Sequence, residues 1–199
     1  HMSEASNVIE MKASESALRY DPVVWLADLT YTQQTVAADV MPNAVGCIAT
    51  FTETRVNLSN PIRLFKYPGK LTEDLGKGPV PDIIGFSNYV WNFDLSYRIA
   101  EVIKREHPRT IIVFGGPNYP IVADEQEAFL RDNPVIDFYV WLEGEQAFVD
   151  LYQALEATDF NVNVLKANKS NVAGVHYVGE QGFIRSELGL RLQDLTETP

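Results

Sequence analysis

Between Pro22 and Leu155 a short apolar run is followed five times by a polar turn and then by a stretch suited to a helix. Apolar runs of this length, uninterrupted by polar alternation, suit strands buried on both faces, and strands alternating with helices build a parallel sheet covered on either side. The runs are Pro22–Asp28, Ile62–Tyr67, Pro81–Ser87, Thr110–Phe114 and Phe138–Leu142. Leu95, Ile99, Val102 and Ile103 share one helical face, and Phe148, Leu151, Tyr152 and Leu155 share another. A further helix is expected from Asp124 to Arg131.

The remaining segments are less regular. Val45, Ile48, Ala49, Thr52 and Val56 repeat at helical spacing, although Val45–Phe51 also alternates as a strand would. A helix is expected there, with another start between Thr32 and Asp39 and Pro42 at a tolerant first turn. Pro68-Gly69 halts the second strand before a short helix around Leu71–Leu75, which Gly76 is expected to end. Beyond Asp159 the pattern changes to Val172–Val178, a turn at Gly179–Gly182, and Phe183–Arg185, which together read as a small hairpin.

The expected fold is therefore α/β, a Rossmann-like doubly wound parallel sheet of about five strands with a small C-terminal β-hairpin. Residues 1–20 read as a tail that begins with a tag scar at His1-Met2, residues 21–160 as the Rossmann-like domain, and 161–199 as hairpin and linker. The 199 residues suffice for one such domain.

A formal net charge of −11 opposes phosphate backbones and anionic membranes, so neither nucleic acid nor membrane is an expected partner. No apolar run approaches the roughly 20 residues of a bilayer span, and the start of the chain lacks a signal-peptide core; a cytoplasmic protein is expected. The one cysteine, Cys47, excludes a disulfide framework and any multi-cysteine metal site built by this chain alone. No metal ligand set and no catalytic residue is assigned.

Ligands of such sheets bind beyond the C-terminal ends of the strands. Thr30 and Tyr31 follow the first strand; Ser87, Asn88, Tyr89, Trp91 and Phe93 follow the third. Gly115, Gly116, Pro117 and Asn118 follow the fourth, and Glu143-Gly144-Glu145 the fifth. Gly115 and Gly116 admit close approach of a bulky ligand or simply form a tight turn. Ser87 and Asn88 bond a ligand or cap the turn. The aromatic residues pack on a flat ring or in the core. Carboxylates such as Glu143 and Glu145 are favoured at a helix start whatever the function.

Five ordered segments resemble the amino-terminal domain of cobalamin-dependent radical S-adenosylmethionine (SAM) enzymes: Pro42-Asn-Ala-Val-Gly-Cys-Ile-Ala49, Pro81-Asp-Ile-Ile-Gly-Phe-Ser87, Val113-Phe-Gly-Gly-Pro-Asn118, Asp137-Phe-Tyr-Val-Trp-Leu-Glu-Gly-Glu145 and Asp194-Leu-Thr-Glu-Thr-Pro199. The resemblance implies a sheet that holds the corrin ring over its C-terminal edge and threads the nucleotide tail between sheet and helices. It implies cobalamin binding through Thr30, Tyr31, Ser87, Asn88, Tyr89, Trp91, Gly115, Gly116, Pro117, Asn118, Glu143 and Gly144.

Two departures shape that expectation. Many cobalamin proteins carry Asp-x-His-x-x-Gly after the first strand, whereas this chain reads Asp28-Leu29-Thr30-Tyr31-Thr32-Gln33, which excludes a histidine ligand from that loop. His107 and His176 are expected at the surface or in caps, so cobalamin is expected base-off, with water, no ligand, or a side chain such as Tyr31 or Gln33 at its lower face. The three cysteines that hold a radical enzyme's [4Fe-4S] cluster are absent, so the cluster and SAM are expected only in a radical SAM domain joined in cis or trans. The chain alone is expected to catalyse nothing, its parent to transfer methyl groups. The rival expectation is a degenerate domain that serves recognition or assembly without cobalamin. A nucleotide or flavin domain fits less well, since neither Gly-x-Gly-x-x-Gly nor Gly-x-x-x-x-Gly-Lys-Ser/Thr occurs.

Overall fold

Apolar side chains alternate between the two faces of each central strand, and that alternation decides which helix covers which face. The computed structural model describes residues 21–31, 43–141 and 144–186. Five parallel strands, β1 (Val24–Ala27), β2 (Arg63–Phe65), β3 (Ile83–Ser87), β4 (Ile111–Gly115) and β5 (Phe138–Val140), lie in the order β2-β1-β3-β4-β5. The helices are α1 (Asn43–Arg55), α2 (Pro68–Lys77), α3 (Phe93–Glu106), α4 (Ala123–Asp132), α5 (Gly144–Ala157) and α6 (Val162–Ala167).

Val24, Leu26, Ile83, Val113 and Phe138 face a core shared with α1, α5 and α6, where Val45, Phe148, Leu151, Tyr152 and Leu165 pack. Trp25, Ala27, Ile84, Phe86 and Phe114 face the opposite core, with Leu71 of α2, Ala100 and Ile103 of α3 and Leu130 of α4. Fully burying each such large apolar side chain contributes about 1.5–3 kcal/mol. The doubly wound sheet follows from this two-sided burial, as the sequence predicts.

One local expectation needs correction, and two features add to the sequence reading. The helix after β2 starts at Pro68, runs through Gly76 and stops at Lys77, with Gly78 at φ +54° just beyond it. Proline fits a helix's first turn, so Pro68 opens this helix, and one glycine inside it lowers propensity without breaking it. The hairpin, β6 (Val175–Gly179) and β7 (Gly182–Arg185), forms as expected, and β6 pairs antiparallel with β5, making one mixed sheet of seven strands. Between α5 and β6 lies α6, capped by Asn161, whose side chain accepts from the Val164 amide at 3.1 Å; only six residues long, it offers too short a pattern to read. The expected tail over 1–20, the helix start over 32–39 and the linker over 187–199 lie outside the described residues.

His176 is also a correction. It is fully buried in β6, between Tyr119, Trp141 and Phe183, because β6 is an interior strand rather than part of an exposed ribbon. Its Nδ1 lies 2.9 Å from the Tyr119 hydroxyl, and its Nε2 is without a partner. Burial, reinforced by nearby Arg185, pushes its pKa down from 6.5 to about 4. His107, by contrast, caps the end of α3 as expected.

A pH dependence follows. As pH falls below about 6.5 the unfolded chain binds this proton while the folded chain does not, so the neutral imidazole's stability contribution is present above that pH and is lost towards pH 4. Denaturant unfolding of the parent and of a His176→Phe variant should diverge in slope across this window, the parent losing about 3 kcal/mol more. Parallel pH profiles would contradict the buried neutral histidine.

Candidate functional site

At the C-terminal ends of β1, β3, β4 and β5 the sheet and α1 part around a cleft of about 460 Å³. That lies within the range of about 300–1,000 Å³ typical of small-molecule sites. Its floor is made by Leu26, Gly85 and Val113 from strand interiors, and its side by Val45 and Ile48 of α1 and Phe148 of α5. Ser87 ends β3, and Tyr89, Gly116 and Trp141 stand just beyond the strands, at the mouth.

Three glycines let neighbouring groups pack close against the backbone around this space. A Cβ on Gly85 would come within 2.7 Å of Leu26 Cδ2, and one on Gly144 within 3.3 Å of Ile48 Cδ1. Gly116 has φ +127°, and a Cβ there would come within 2.7 Å of the Asn88 carbonyl oxygen. The apolar floor and the close backbone at the mouth suit a bulky, partly flat ligand.

The mouth is rigid because two loops are sewn together by amides. Asn88 is fully buried; its backbone N–H donates to the Gly115 carbonyl at 2.6 Å and its Nδ2 to the Asn118 carbonyl at 2.8 Å. Asn118 returns its Nδ2 to Asn88 Oδ1 at 3.0 Å. The Tyr139 hydroxyl donates to the Gly116 carbonyl at 2.7 Å and accepts from Asn88 Nδ2 at 3.4 Å. Tyr139 also stacks on Tyr119, with centroids 3.8 Å apart.

A second buried network ties β3 to the loop after β1. Asn92 Oδ1 accepts from the Tyr89 amide at 2.9 Å, and its Nδ2 reaches the Leu29 carbonyl, Ser87 Oγ and Asp28 Oδ1 at 3.3–3.4 Å. Burial raises the pKa of Asp28, opposed by its hydrogen bond with Ser87 and by the charge of Lys66.

Of the expected ligand-binding residues, Ser87, Tyr89, Gly115, Gly116, Pro117 and Gly144 line the cleft. Asn88 and Asn118 meet each other, and Thr30 and Tyr31 stand outside its lining, the Thr30 amide donating to the Lys66 carbonyl at 3.0 Å. Trp91 is 67% exposed and stacks on Tyr89 at 4.6 Å. Glu143 and Gln33 lie outside the described residues. Sequence reading missed Leu26, Ile48, Val113 and Phe148, which look like ordinary core; Gly85 alone carried a signal, since a glycine inside a buried strand marks close approach. Among the described residues no histidine, cysteine or carboxylate group is arranged to hold a metal ion.

The B12 binding domain family matches residues 77–152. The matched stretch holds β3, β4 and β5, which form most of the cleft's strand wall. Over 71 residues, 36% of the chain, the sequence is 39% identical to 2-(S-pantetheinyl)-carbapenam-3-carboxylate methyltransferase of Streptantibioticus cattleyicolor. It is 37% identical, over the same length, to the cobalamin-dependent radical SAM methyltransferase TokK of Streptomyces tokunonensis. Each match spans 10% of the relative's length. The backbone is similar to that of the cobalamin-dependent SAM radical enzyme OxsB, solved with aqua-cobalamin and SAM bound, at a TM-score of 0.57 and 19% identity. That superposition covers 83% of this chain and 22% of OxsB, and at such identity it establishes the fold. Among the described residues no helix is long and apolar enough to cross a membrane.

Breaking the amide stitch should be costly. Asn88→Leu is expected to lower unfolding free energy by about 2–4 kcal/mol in urea titrations, because it strands buried partners, whereas Tyr31→Ala should change it by less than about 0.5 kcal/mol. Equal effects would contradict the stitch.

Proposed function

We propose that this chain is the cobalamin-binding module of a radical SAM methyltransferase, with the corrin ring over the C-terminal edge of the sheet and the nucleotide tail in the cleft beneath α1. The cleft carries this reading: it is apolar, open at the strand ends, and lined by Gly85 and Gly144, against which Leu26 and Ile48 pack closely. Those residues fit a group with one flat ring system at the mouth and a smaller one inside. Gly115, Gly116 and Pro117 give the corrin a close backbone surface, and Tyr89 offers a hydroxyl at its edge. Bound cobalamin supplies a cobalt centre able to carry a methyl group. The chain's own residues bind, orient and exclude water.

The cofactor is held base-off. His107 sits at the opposite end of the sheet, before β4, and His176 is buried on Tyr119, so neither reaches the mouth. The lower face of a bound cobalt would then be left to water, to no ligand, or to a side chain such as Gln33 or Tyr31, the latter 62% exposed after β1. The [4Fe-4S] cluster and SAM belong to a radical SAM domain in cis or trans. The small share of each relative that this chain matches supports that division, as do Val90 and Ile121, 82% and 78% exposed beside the mouth.

Titration with hydroxocobalamin should give a saturable change in the visible spectrum, and the reduced Co(II) complex should show no nitrogen splitting from an axial ligand in electron paramagnetic resonance. Ile48→Trp, which fills the cleft from a partly exposed helix, should weaken binding at least about tenfold while leaving the unfolding midpoint nearly unchanged. No spectral change at high concentration would overturn the reading, and nitrogen splitting would overturn its base-off part.

A further inference from the structure

We infer that the cleft selects the base at the end of the cofactor's nucleotide tail, accepting cobamides with an apolar-edged base such as a benzimidazole and discriminating against those with a purine. This rests on the proposed cobalamin reading and adds a selectivity to it. The inner part of the cleft is walled by Leu26, Val45, Ile48, Val113 and Phe148, with Gly85 in its floor. None of these side chains donates or accepts a hydrogen bond.

Among the described residues, the polar groups nearby are already engaged. The Gly115 carbonyl accepts from the Asn88 amide and the Gly116 carbonyl from the Tyr139 hydroxyl. Ser87 Oγ is committed to Asp28 and Asn92. The Tyr119 hydroxyl is held against His176. Tyr89 and Trp141 follow the ends of β3 and β5 and so stand at the mouth rather than within.

A dimethylbenzimidazole displaced from cobalt presents two methyl groups and one free ring nitrogen. An adenine presents an exocyclic amine and several ring nitrogens, which lose water on entering and find no partner. One or two such unpaired groups correspond to at least about a tenfold loss in affinity.

A rival physical effect predicts the reverse order. Adenine is the weaker base and is displaced from cobalt more easily, so if opening the base-on form governed affinity, adeninyl cobamide would bind more tightly. Equilibrium dialysis of the 199-residue chain against benzimidazolyl, adeninyl and phenolyl cobamides separates the two effects. The phenolyl form has no base able to coordinate cobalt and needs no opening.

The expected order is phenolyl and benzimidazolyl together, with adeninyl at least about tenfold weaker. Ile48→Gln places an amide of matching edge beside the adenine and should narrow that gap several-fold. Equal or tighter binding of the adeninyl form, or an unchanged gap in Ile48→Gln, overturns the selectivity while leaving cobamide binding intact. Binding of none of the three overturns the selectivity and the cobalamin reading together.

Discussion

A buried carboxamide needs partners for its two donors and its acceptor, and Asn88 finds them only if the loops after β3 and β4 close around it. The rest of the C-terminal edge depends on that closure. It brings Gly116 against the Asn88 backbone so tightly that a side chain at 116 would collide with it, and it anchors Tyr139, whose ring supports Tyr119. Without the stitch the mouth would be two independent loops on a stable sheet. With it, the edge is a preorganised surface, and ordering it on binding costs little.

The cleft beneath that surface arises from a different cause. Doubly wound sheets normally fill the space between strand and helix with side chains, and here Leu26 and Ile48 draw in against Gly85 and Gly144 and wall a cleft. Open apolar volume in a core forfeits packing, and a domain retaining it gains stability when a ligand occupies it. The two devices have separate tasks: polar amides shape the entrance, and apolar side chains packed against glycines wall the interior.

Much of the scaffold was legible because burial on both faces writes continuous apolar runs, as at Ile83–Ser87 and Ile111–Gly115, and because a buried helix face writes a stripe such as Phe148, Leu151, Tyr152 and Leu155. The stripe expected at Leu95, Ile99, Val102 and Ile103 was out of phase, since Ser96, Ala100 and Ile103 are buried there and Val102 is exposed. The resemblance carried in Val113–Asn118 likewise pointed to the edge where the cleft opens. What stayed hidden depends on contacts distant in sequence. Nothing local tells that Asn88 and Asn118, 30 residues apart, satisfy one another rather than a ligand. His176 looked like a surface residue because only the pairing of β6 with β5 makes its strand interior. Leu26 and Ile48 are indistinguishable from core until the fold sets them against Gly85 and Gly144 at the wall of the cleft.

The location of cobalt tests the account most directly. Crystals grown with hydroxocobalamin and measured at the cobalt absorption edge should place the anomalous peak beyond the C-terminal ends of β1, β3 and β4, with the tail base between Ile48 and Val113. A cobalt peak at the opposite end of the sheet, or an ordered cofactor whose tail lies outside a cleft that remains empty, would contradict it.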